Sequence, residues 1–381
     1  MTIVGYLYNK NGMATWCIEA ALALHQAGEE VILIKSSDII LPESYPVKVI
    51  DFDNEVTVNK NRSTLKKITD KLIKYWQLLP VVPIAKNFLP ALHNYLQTLS
   101  INPKYYLLNQ TSFVNKNLAT KQYVVAWTYQ PFLKDYLRKA FLLADGLGAL
   151  QSNLYNAFYW HKIDWQGYTD ATGVMAVSKK LSASLQLHHI KSSAVYPGTS
   201  NNNVQIINKV NSRVTLAVMA LGLDESRKGL RKIIECLKKM QPYQFKLVLI
   251  GGCSTQFKNW VLENDFPATF TGLLSRQKAV EVLQTCDVLL FGSLVDDWGF
   301  VQVEAMANGM AILSPNASPF DEIVGRADYL YDANDLRDLE NKLAVIISNK
   351  LIIQDKNWFM NRHQEFFSSK AFSNFILQSR N

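Results

Sequence analysis

The sequence predicts an α/β protein with two doubly wound, parallel-sheet domains, and three observations carry that expectation. A strand–loop–helix–strand unit opens the chain, the same scheme returns at residues 214–251, and a turn-rich polar stretch lies between them. Parallel strands need a crossover connection, usually helical, so each unit marks a sheet covered on its faces. Two such units so far apart imply two sheets rather than one. At 381 residues the chain is also longer than one hydrophobic core usually serves. Its 48% hydrophobic and 19% charged residues suit an ordinary globular protein able to bury two cores.

The elements follow in order. Residues 2–8 read as a strand, 9–13 as a loop, and the next segment as a helix to about Gln26 that Gly28 stops; residues 31–35 read as the second strand. In the second copy, residues 214–220 form a strand, a charged loop follows, 228–240 form a helix, and 245–250 a strand before Gly251-Gly252. Between the copies, residues 196–203 (YPGTSNNN) have the composition of an interdomain linker. From about Asp355 the chain reads as amphipathic helix rich in aromatics, among them Trp358, Phe359, Phe366, Phe367, Phe372 and Phe375.

Composition narrows the setting. There is no apolar run long enough to span a bilayer, and the first residues read as a strand rather than a signal peptide. Cys17, Cys236, Cys253 and Cys286 are scattered without a CxxC pair, which argues against structural zinc and disulfides and for a reducing cytosol. The net charge of +8 is uneven: residues 1–195 hold 20 basic against 13 acidic residues, the remainder 20 against 19. The first half therefore suits an acidic partner, a membrane surface or anionic glycolipid ahead of nucleic acid. Residues 63–79 place Leu65, Ile68, Leu72, Trp76 and Leu79 at helical spacing, with Lys66, Lys67, Lys71 and Lys74 elsewhere. Such a helix either docks on an anionic membrane or packs its apolar stripe on its own sheet. His188-His189 are adjacent and diverge on any regular element, and Asp296-Asp297 have no further ligands near them in sequence, so no metal is expected.

Residues 289–324 (LLFGSLVDDWGFVQVEAMANGMAILSPNASPFDEIV) are the most informative stretch. A buried strand over 288–291 leads into a polar loop with Asp296 and Asp297. A helix over 299–308 follows, Gly309 ends it as a C′ residue, and 311–314 form another strand. A strand–loop–helix turn aims unpaired backbone N–H groups and the helix dipole at its loop, which favours anions. Glu304 is a carboxylate among Phe300, Val301, Val303, Ala305, Met306 and Ala307, and a charge there calls for a ligand hydroxyl or a specific donor.

Asp296 and Glu304, eight apart around WGF and ahead of EAMANG, resemble the acidic-x7-Glu signature of the retaining, family-4 type glycosyltransferases of GT-B fold. That family more often has Glu where this chain has Asp296. The resemblance implies two Rossmann-like domains with a cleft between them: an acceptor domain over 1–195, a nucleotide-sugar domain over 196–355, and a C-terminal helix over 356–381 crossing back onto the first. It also implies that Asp296 contacts donor-sugar hydroxyls, that the N–H groups of Gly299, Phe300 and Val301 hold phosphate and sugar, and that Glu304 binds ribose. Lys228-Gly229 matches the family's Lys-Gly at the donor diphosphate. Many members also carry an Arg six residues earlier, where this chain has Gly222; Arg227 is the candidate to replace it. Residues 270–274 (FTGLL) resemble the loop lining the nucleotide base, which brings in Leu274. Asn11-Gly12 is similar to the family's Gly-Gly loop, and Gly12 would let backbone approach the donor. Relatives have a His near the position of Tyr129; none stands here, and Tyr129 or Gln130 is the candidate donor contact.

The function expected is transfer of a hexose from a UDP- or GDP-linked sugar to a glycolipid, lipid-linked or polysaccharide hydroxyl. It would run in the cytoplasm, at the inner face of the membrane, without metal, cofactor or nucleic acid. Open alternatives are a transferase for small soluble metabolites, a nucleotide-sugar 2-epimerase, and a non-catalytic glycan- or lipid-binding relative.

Overall fold

The structure, a computed structural model, describes residues 1–7, 12–37, 39–42, 44–52, 88–127, 137, 147–200, 213–294, 296, 298–348 and 352–380. It divides into two compact units: Met1–Gly198 with Phe372–Asn381, and Thr199–Ala371.

The first unit runs β1 (Thr2–Leu7), α1 (Gly12–Gln26), β2 (Val31–Lys35), β3 (Lys48–Asp51), α2 (Phe88–Thr98), β4 (Tyr105–Leu108), β5 (Lys121–Ala126), α3 (Leu147–Asp170), β6 (Gly173–Ala176), α4 (Lys179–Leu187) and β7 (Ser192–Ala194). Its seven strands are ordered β3-β2-β1-β4-β5-β6-β7, all parallel. Every residue of β1 is buried, as a central strand covered on both faces requires. Helix α1 covers it with Trp16, Cys17, Ala20, Ala21 and Leu24, the stripe that a period of 3.6 produces.

The second unit runs β8 (Val214–Gly222), α5 (Leu230–Lys238), β9 (Phe245–Gly252), α6 (Thr255–Leu262), β10 (Ala268–Gly272), α7 (Arg276–Leu283), β11 (Val288–Leu290), α8 (Phe300–Ala307), β12 (Ala311–Pro315), α9 (Phe320–Val324), β13 (Leu330–Tyr331), α10 (Leu336–Ser348) and α11 (Ile352–Arg362). Its sheet is ordered β10-β9-β8-β11-β12-β13, the same doubly wound order as the first six strands of the other unit. The helix expected from residue 228 begins at Leu230. Ser226–Lys228 make a single tight turn and Gly229, at φ 62°, breaks the helical path before α5.

At the carboxyl end of the chain, α12 (Ser369–Ser379) carries the return to the first unit. The first unit takes up the chain again at Phe372, where the aromatics change partners. Phe359, His363 and Phe367 are sealed within the second unit, while Phe372 packs on Trp16 at 6.1 Å and Phe375 on Tyr196 at 5.6 Å in the first. Arg380 fastens the end: its guanidinium pairs with Glu29 at 3.3 Å, donates to Thr2 Oγ1 at 3.0 Å and lies over the Tyr105 ring, and its carbonyl accepts from Tyr123 Oη at 2.9 Å. No helix among the described residues is long and apolar enough to cross a membrane. The helix expected over residues 63–79, with Lys66, Lys67, Lys71, Lys74 and Trp76, falls outside the described residues.

His363 tests the packing of the second unit. It is 1% exposed, its Nε2 is 3.1 Å from Thr199 Oγ1, and burial pulls its pKa down to about 4. The unfolded chain therefore takes up the proton first. Stability is complete above pH ~6.5 and is lost as pH falls from there to about 4, by roughly 3 kcal/mol in total. Denaturant midpoints measured across that window should show the slope in the wild type and its absence in His363→Gln.

Candidate functional site

The candidate site stands where the second sheet reverses direction. The chain leaves β8 to build β9 and β10 on one side, then crosses to β11 on the other, so the loops after β8 and β11 diverge from adjacent strands. In open α/β sheets this is where ligands bind. The two loops are locked together. Gly229 packs so closely on the second loop that an added Cβ would stand 2.2 Å from Gly292 O, and one on Gly292 would stand 2.7 Å from Lys228 O. Leu294 N and Ser293 Oγ both donate to Arg227 O, at 3.3 and 3.4 Å.

That lock brings Lys228 to Asp296 across 68 residues of sequence, with Nζ donating to Oδ2 at 3.1 Å. The side chains are 18% and 30% exposed, so the pair stays accessible. Behind it, Trp298 is buried against Phe367 at 6.0 Å, and Gly299 caps α8 at φ 94°. The first N–H groups of α8, those of Phe300 and Val301 among them, are the ones a helix leaves without an internal partner. Helices α5, α7 and α8 carry no acidic residue in their first turns. Their first turns thus supply no counter-charge of their own, which favours an anion at these helix starts.

Glu304 sits one turn deeper in α8, its side chain 13% exposed. Its Oε1 accepts from Arg276 Nε at 3.1 Å and lies 3.0 Å from the terminal nitrogen Nη2. Arg276 opens α7, just past the loop where Leu274 is half-buried. Arg227 turns the other way and pairs with Glu225 at 2.6 Å. The Glu225 carboxylate occupies the space beside Gly222, where a Cβ would meet Oε1 at 2.5 Å. The residue expected to stand in for an Arg at position 222 is therefore one carboxylate away from that position.

Gly12 starts α1, while Asn11, Asp297, Tyr129 and Gln130 lie outside the described residues. Sequence reasoning missed two residues. Arg276 had a legible signal, a cation at the first position of a helix, where it opposes the dipole. Gln302 is fully buried beneath Gly299, with its amide nitrogen 3.0 Å from where a Gly299 Cβ would stand. Among the described residues, neither polar atom of its side chain has a hydrogen-bond partner. Its signal was a polar residue in an otherwise apolar helix.

Comparison with known proteins gives these features a context. Residues 205–363 match the family described as glycosyl transferases group 1. An uncharacterized glycosyltransferase of Methanocaldococcus jannaschii is 26% identical over 187 residues, 48% of this chain and 51% of that one, so the match spans about half of either. Among solved structures, sucrose-phosphate synthase of Thermosynechococcus elongatus superposes with a TM-score of 0.70 at 14% identity, over 99% of this chain and 98% of that one. WaaG, a glycosyltransferase involved in lipopolysaccharide biosynthesis, superposes at 0.63 and 14% identity over the same shares. The shared architecture is that of the GT-B glycosyltransferases.

Proposed function

From the match of residues 205–363 to the glycosyl transferases group 1 family, we propose that the chain is a retaining glycosyltransferase. It moves a hexose from a UDP- or GDP-linked sugar to a hydroxyl of a glycolipid, lipid-linked or polysaccharide acceptor. The observation that carries this reading is the Lys228–Asp296 pair at 3.1 Å, set at the switch point of the second sheet in front of the α8 N-terminus. A cation and unpaired N–H groups suit a diphosphate, and a carboxylate beside them suits sugar hydroxyls.

In the reaction, the bond between the anomeric carbon and the diphosphate oxygen breaks, and the acceptor oxygen bonds to that carbon on the same face. The acceptor's proton passes to the departing phosphate. Lys228 and the N–H groups of Phe300 and Val301 stabilise the charge that develops on the leaving group, a task the resemblance also gives to Arg227, which would have to leave Glu225 to share it. These groups meet the diphosphate charge without a metal. Asp296 orients the transferred sugar and Glu304 holds the ribose. Gly12 and Tyr129 are assigned to the donor by resemblance, as is Leu274 to its base. The acceptor class is supported by the lipopolysaccharide role of WaaG. An anionic membrane surface as partner, and a place on the inner face of the cell membrane, rest on residues 63–79 and on the basic excess of residues 1–195.

The test is thermal shift and sugar release across UDP-, GDP- and ADP-sugars. One nucleotide should raise the melting temperature of the wild type and raise that of Glu304→Ala less, with slow sugar hydrolysis. Stabilisation without turnover on any acceptor would move the chain to a binding role. No stabilisation by any nucleotide, from folded protein, would sink the reading.

A further inference from the structure

Arg276 and Glu304 come from separate helices, α7 and α8, 28 residues apart in sequence, and meet through two nitrogens of one guanidinium on a single carboxylate oxygen, at 3.1 and 3.0 Å. Their exposures are unequal. Glu304 is 13% exposed in an apolar helix, whereas Arg276 is 52% exposed. The guanidinium thus lies on the solvent side of a carboxylate that could not stay charged there cheaply by itself. Local structure does not explain the arginine: it opens α7, whose first turn has no acidic residue and also holds Lys278, so it opposes the helix dipole. A half-exposed ion pair adds little to stability. What it does add is geometry, because two N–H groups of one planar guanidinium converge on Oε1 and fix that oxygen's position, where a lysine only attracts the carboxylate.

A carboxylate that receives hydroxyl donors from a ligand must be ionised and must face one way. We propose that Arg276 is a positioning residue for Glu304, holding that carboxylate in place for the ribose hydroxyls of the donor nucleotide. Through it, Arg276 sets the preference for ribonucleotides over 2′-deoxyribonucleotides. This rests on the reading of the site as a nucleoside-diphosphate site, and its chemical object is the vicinal diol of the ribose. Arg276 itself touches neither sugar nor phosphate.

The test is titration calorimetry of UDP, GDP and ADP against their 2′-deoxy counterparts. The proteins are the wild type, Arg276→Ala, Arg276→Lys, Glu304→Ala and the double variant, each first shown folded by circular dichroism. The wild type should bind one ribonucleotide about tenfold tighter than its deoxy form, the cost of one lost hydrogen bond to a charged group. Arg276→Ala should reduce that ratio to about twofold or less by weakening the ribonucleotide alone, and Arg276→Lys should restore it only in part. Glu304→Ala should abolish the ratio, with no further change in the double variant. If Arg276→Ala keeps the ratio, or weakens both nucleotides equally, the positioning role is overturned. A wild type that binds both forms equally overturns it as well. Absence of binding by all six nucleotides to the wild type would instead overturn the donor site itself.

Discussion

Gly229→Ala should destabilise the second unit by about 2–4 kcal/mol and separate Lys228 from Asp296. Two costs add. A residue with a Cβ at φ 62° loses about 1 kcal/mol relative to glycine. The methyl would also stand 2.2 Å from Gly292 O, a backbone atom that cannot rotate away. Opening that contact strains a packed interior by about 1–3 kcal/mol. Gly272→Ala is the control: the same unit and a similar φ of 70°, but nothing within 4 Å of the added carbon. It should cost only the conformational part, about 1 kcal/mol. Denaturant unfolding of the two variants checks the difference. Equal stability would show that the loops after β8 and β11 are not locked as described.

Lys228→Ala should lower sugar transfer, or donor hydrolysis, by about two to three powers of ten. That is the usual cost of removing one preorganised donor aimed at a developing oxyanion, about 3–4 kcal/mol in the barrier. Folding should hardly change, because an ion pair this accessible contributes about 1 kcal/mol or less. Asp296→Asn separates the two partners. It leaves Lys228 in place for a diphosphate, so binding of the nucleotide without sugar should persist while turnover of the nucleotide sugar falls. Kinetics and calorimetry on both variants decide the matter. Unchanged kcat/KM in Lys228→Ala would remove that residue from the reaction.

The presence of two parallel, helix-covered sheets follows from two β-loop-α-β units that can be read residue by residue, although the order of their strands does not. The end of α1 before Gly28 and the end of α8 before Gly309, which sits at φ 71°, can be read in the same way. The acidic loop and Glu304 stood out because each breaks a local pattern. Arg276 was overlooked although it breaks one too, since a cation at a helix start gains meaning only once its partner is known. Gln302 was overlooked because a single polar residue in a buried helix alters the apolar period very little.

Sequence by itself determined what depends on near neighbours and on period: strands and helices, their stop signals, the repeat of one supersecondary unit, and the chemistry carried by 289–324. Tertiary structure alone decided partnership. Lys228 meets Asp296 because β8 and β11 are neighbours in the sheet, and Arg276 meets Glu304 because α7 and α8 both start at its carboxyl edge. Arg227 turns to Glu225, and the chain crosses back at Phe372, because long side chains choose among several partners by distance and burial. Those choices are long-range. The identity of a charged or aromatic residue states what it can bind, and only the strand order states what lies within reach.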